Sequence, residues 1–110
     1  MNDNRTNSRK NTDPKIVVVD LDSRENIGNL LNISISGFML LSQSPIELDK
    51  LYRLEIQLTS KVNGKSVLQV GADALWNNSL SGDQYFWTGF QIIDISEDDL
   101  KIIQQLLINE

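Results

Sequence analysis

Arg5 and Arg9 stand four positions apart in a polar segment, and Asn32, Ser34 and Gly37 follow, spelling Asn-x-Ser-x-x-Gly between two apolar runs. A guanidinium group is planar and permanently charged, so one arginine chelates a phosphate or the O6 and N7 edge of a guanine, and it also stacks on the base. Asn32 offers an acceptor and a donor, Ser34 a hydroxyl, and Gly37 a backbone without Cβ that can take a positive φ and admit a ligand closely. These groups suit an anionic ligand with purine edges. Trp76, beside the polar run 77–79, is either a face on which a base stacks or a rim tryptophan that closes the core.

The elements that must position these residues read as β-structure. Residues 1–14 are rich in Asn, Asp, Ser, Thr and Arg and almost free of apolar side chains, which predicts a flexible arm, 1–14, followed by one folded unit, 15–110. Ile16, Val17, Val18 and Val19 predict a first strand closed by the polar stretch 22–26, with further strands at 30–33 and 37–41 on either side of the Asn-x-Ser-x-x-Gly turn. Residues 42–49 predict a loop around Pro45. Tyr52, Leu54, Ile56 and Leu58 alternate with polar residues, as a half-buried strand requires. Asn63 and Gly64 suit a type I′ turn, so 65–76 should return antiparallel, and a turn at 81–83 leads into a last strand at 85–93. Phe86 and Trp87 point to opposite faces of it. The period then lengthens to helical: Ser96 with Asp99 forms a capping box, and Leu100, Ile103 and Leu107 make a stripe supported by Ile102 and Leu106. About six strands and one terminal helix predict an all-β dominated fold, a small antiparallel barrel with the helix across one opening.

Composition removes many alternatives. A chain of 110 residues suits a single core, and with no cysteine and no histidine it lacks thiolates, disulfides and the commonest general base and metal ligand. No cluster of acid, base and nucleophile is visible, which argues against an enzyme. The formal charge of −5 opposes binding to polynucleotides, although residues 1–15 carry a net +2 and leave −7 on the remainder, a basic arm on an acidic body. The apolar runs are too short to span a membrane and the N-terminus is polar, so no membrane insertion and a cytoplasmic location are expected. Gly64-Lys65-Ser66 lacks the earlier glycine of a phosphate-binding loop, and Glu97, Asp98 and Asp99 suit the first turn of a helix better than a metal.

With Arg5-Thr6-Asn7-Ser8-Arg9 as arm, Asn32-Ile33-Ser34-Ile35-Ser36-Gly37 as strand motif 23 positions beyond Arg9, and Ala74-Leu75-Trp76 and Thr88-Gly89-Phe90-Gln91 before the helix, the chain resembles the PilZ domain family along nearly its whole length. The resemblance implies a six-stranded barrel with a C-terminal helix, acting as a noncatalytic receptor for cyclic di-GMP. It further implies that Arg5 and Arg9 clamp guanine edges and phosphates, that Asn32 meets the other guanine edge, and that Ser34 bonds nearby. The arm would order over the barrel and signal to a protein partner in motility, biofilm or exopolysaccharide control. No cofactor beyond that ligand is implied. The chain departs from the common pattern at Asn4 and Lys10, where a further arginine and an apolar residue are usual, and at Asn32, where aspartate is commoner and would favour guanine N1-H and N2-H more strongly. The alternative within the family is an interaction module for pilus or motility machinery that binds no nucleotide, and outside it a small barrel that binds single-stranded nucleic acid.

Overall fold

The computed structural model describes residues 10–13, 15–80, 82 and 84–108. Its elements run β1 (Lys10–Asn11), β2 (Val17–Asp20), β3 (Asn26–Ile33), β4 (Gly37–Ser42), β5 (Leu51–Val62), β6 (Lys65–Leu80), β7 (Tyr85–Ile95) and α1 (Glu97–Ile108). Strands β3, β2, β5, β6, β7 and β4 pair antiparallel in that order, and β4 pairs back onto β3, closing the predicted six-stranded barrel.

Alternation along the strands sends Val18, Leu30, Leu40, Leu54, Ile56 and Leu68 into one core, where each is fully buried. Phe38 and Phe90 stack there with centroids 5.1 Å apart, and Tyr52 meets Phe90 edge-on at 5.9 Å. The Asn63-Gly64 turn has the expected pair of positive φ angles, 52° and 81°. Helix α1 adds Ile102 and Ile103 to the core and rests Leu106 and Leu107 against it.

Three local readings need correction. β3 begins at Asn26, four residues before the apolar run that marked it, because β2 pairs with residues 26–29 and holds them extended despite their asparagines. β6 does not end at Trp76: the polar stretch after it stays in register with β7 as far as Leu80 opposite Tyr85, so Trp76 lies within a long strand. The capping box is only half formed. Ser96 Oγ accepts from the Asp99 amide at 3.1 Å, while the Asp99 carboxylate takes Lys65 Nζ at 2.5 Å and the Gln69 amide at 3.0 Å, tying α1 to the first residues of β6. No helix among the described residues is long and apolar enough to cross a membrane.

Candidate functional site

Strand register assembles the site. Asn32 pairs with Met39, Met39 with Gly89 and Gly89 with Trp76, while the flanking residues Ile33, Phe38, Phe90 and Ala74 are all buried in the core. The row Asn32, Met39, Gly89, Trp76 therefore faces outward across β3, β4, β7 and β6. Together with Leu75 and Phe90 it lines a shallow cleft of about 220 Å³. A Cβ built on residue 89 would stand 2.4 Å from the indole of Trp76, so the glycine is what lets the ring lie across the strand, and Trp76 stays 41% exposed. The result is an aromatic face and a carboxamide in one depression. The structure thus joins Asn32 to Trp76, two residues that lie 44 positions apart in the chain.

The turn between β3 and β4 is held by Ser34. Its side chain is fully buried, its amide donates to the Gly37 carbonyl at 2.8 Å, and its hydroxyl accepts from the Gly37 amide at 3.2 Å and the Ser36 amide at 3.3 Å. This geometry fixes the direction in which β3 leaves Asn32, and the Ser36 carbonyl then accepts from the Ile92 amide at 2.8 Å. Gly37 departs from its expected conformation: it takes no positive φ. Its necessity is a close approach instead, since a Cβ there would lie 2.3 Å from the Phe90 carbonyl oxygen.

Arg5 and Arg9 lie outside the described residues. The residue after Arg9 does not. Lys10 pairs with Ile33 and Asn11 with Asn32, so β1 adds itself to β3 beside the motif and Asn11 extends the outward row by one strand. Thr12 secures the join, its amide donating to the Leu31 carbonyl and its hydroxyl to the Leu30 carbonyl, both at 2.9 Å. Lys10 Nζ donates to the Leu106 carbonyl at 2.9 Å, placing a cation at the C-terminal end of α1, a helix with no basic residue of its own in the last turn.

Sequence reasoning missed Asn11, Met39 and Gly89 because their membership depends on register across four strands. Among the described residues no group of three or more carboxylates is arranged to hold a metal ion.

No curated protein matches the chain significantly. Among solved structures, the Bacillus subtilis inhibitor of motility MotI/DgrA is similar over 96% of this chain and 50% of its own, at 15% identity and a TM-score of 0.76. The PilZ domain of YcgR from Escherichia coli with cyclic di-GMP is similar over 96% of this chain and 89% of its own, at 13% identity and 0.68. The K. pneumonia MrkH complex with cyclic di-GMP is similar over 96% of this chain and 52% of its own, at 16% identity and 0.74. The chain thus spans about half of the MotI and MrkH chains, and at these identities the likeness is one of fold. The PilZ domain family model matches residues 3–109, taking in the arm, the Asn32 to Gly37 turn, the outward row and the closing helix, and the chain belongs to that family.

Proposed function

We propose that this chain is a noncatalytic, cytoplasmic receptor for cyclic di-GMP, which binds on the outward row between Trp76 and the arm of residues 1–14. The observation that carries the reading is the register of β1: Lys10, one residue from Arg9, sits opposite Ile33, and Asn11 sits opposite Asn32. Arg9 directly precedes Lys10 in the chain, and Arg5 stands four positions before Arg9. In this reading the two guanidinium groups take guanine edges and phosphates, Asn32 takes a guanine edge through its carboxamide, and the Trp76 indole stacks on a base. Ser34 is then a positioning residue, since its hydroxyl is committed to the turn, and Gly37 keeps that turn seated on β7.

Ligand binding would draw the part of the arm that precedes β1 over the barrel and create a surface for a protein partner, and the differential affinity would come from the charge-assisted bonds of Arg5 and Arg9. The cyclic di-GMP named in the structures of YcgR and MrkH supports this choice of ligand. Calorimetric titration with cyclic di-GMP, with GTP and cyclic di-AMP as controls, tests it. Binding selective for cyclic di-GMP and weakened by roughly 2 kcal/mol or more in Arg9→Ala, with an unchanged Tm of the free protein, is the expected result. Absence of binding at high micromolar ligand would leave the family's alternative, a docking module without nucleotide.

A further inference from the structure

The Lys65 end of the barrel is covered by α1, and the other end is open. There β3 and β4 part beyond the Asn29–Leu41 rung, and the gap widens into a cleft of about 760 Å³, more than three times the volume of the one beside Trp76. One wall is the β2–β3 hairpin, which brings Asp20, Glu25 and Ile27; the other is the segment between β4 and β5, which brings Ile46 and Glu47. Tyr52 and Tyr85 supply aromatic faces.

The lining is acidic: Asp20, Glu25 and Glu47 face a single lysine, Lys50. Burial, and after it the carboxylates of Glu47 and Asp20, push the Tyr52 phenol above its ordinary pKa. Lys50 also shows what the wall accepts. Its Nζ lies 5.1 Å from the centroid of the Tyr52 ring and 3.8 Å from a Glu47 carboxylate oxygen, a cation held between an aromatic face and an acid. Tyr85, 38% exposed, offers a second face. A volume of this size exceeds one cationic side chain, and Ile27, Leu41 and Ile46 give apolar wall for the residues between cations.

We infer that this open end is a docking site for an extended basic segment of a protein partner, which inserts arginine or lysine side chains between the two acidic walls. The site is independent of the nucleotide row, which uses the other end of β3.

The test is a titration of the isotope-labelled full chain, followed by amide chemical shifts, with the peptide acetyl-Val-Arg-Val-Arg-Val-amide. Acetyl-Val-Glu-Val-Glu-Val-amide and spermine serve as controls. Shifts should concentrate in residues 20–29, 42–47 and 85, and the affinity should fall by about tenfold or more in a Glu25→Lys, Glu47→Lys double variant. Both glutamates are exposed, so the variant should keep the spectrum of a folded barrel. Trp76→Ala should leave peptide binding unchanged. Equal shifts around the acidic start of α1, affinity that survives the double reversal, no shift at millimolar peptide, or spermine binding as well as the peptide would each overturn the proposal.

Discussion

At its C-terminal end β3 presents Asn32 to a shallow depression floored by Gly89 and walled by an indole, while at its N-terminal end residues 26–29 border a cleft more than three times as large, lined with carboxylates and tyrosines. The first surface exists because strands stay paired: five cross-strand neighbours from Asn11 to Trp76 line up only while β1, β3, β4, β7 and β6 keep register. The second exists because pairing stops. Between them runs a continuous aromatic series, with Phe38 behind the motif stacked on Phe90, Phe90 meeting Tyr52, and the Tyr52 hydroxyl donating to the Glu47 carbonyl at 2.9 Å. One barrel thus offers a small, hydrogen-bonding face that suits a planar base and a larger acidic mouth that suits a cationic chain.

The comparison can be broken from the paired side most severely at Gly37. Gly37→Ala puts a methyl group onto the Phe90 carbonyl and should cost about 2 to 3 kcal/mol of stability, read as a lowered denaturant midpoint. Retention of wild-type stability would mean that β4 and β7 tolerate separation at this rung. Trp76→Ala leaves an exposed position and should alter stability little, yet weaken cyclic di-GMP binding by roughly 1 to 3 kcal/mol. Equal affinity would remove stacking from the proposed site.

At the open end, Tyr52→Phe should lose about 1 kcal/mol with the bond to Glu47 and should also change the alkaline limb of the stability profile. The Tyr52 phenol is raised in the folded state, so its contribution is fully present below its ordinary value of 10.0 and is lost as pH rises through the higher folded value. The wild type should therefore lose stability above about pH 10 more steeply than Tyr52→Phe, measured by denaturation at fixed pH steps. The smallest effect is expected for Lys10→Met, which removes the cation from the end of α1 and should cost about 0.5 kcal/mol, with the loss reduced in high salt.

Much of the barrel was legible because apolar alternation in β5 and the Asn63-Gly64 turn state their conformation locally, and the period change after Ser96 announces the helix. The entry to β3 and the far half of β6 were not legible. Their asparagines and serines favour turns in isolation, and only backbone pairing with a neighbouring strand, β2 for the first and β7 for the second, keeps them extended. The capping residue Asp99 shows the same limit, since its carboxylate is drawn from the helix terminus to Lys65 and Gln69 by a strand that lies 30 residues earlier.

By itself the sequence determined the residue types: two arginines in a basic arm, an Asn-x-Ser-x-x-Gly turn, a tryptophan within a strand, an acidic body without cysteine or histidine. Those follow from composition and short-range spacing, which the chain carries in any conformation. Only the tertiary structure decided that Ser34 turns inward to hold the bend, that Gly37 answers a carbonyl rather than a left-handed φ, that Trp76 lies across Gly89 within reach of Asn32, and that Asp20, Glu25 and Glu47 share one mouth. Those are products of strand register and barrel closure, which depend on contacts between residues far apart in the chain, and a one-residue slip would send each side chain to the other face.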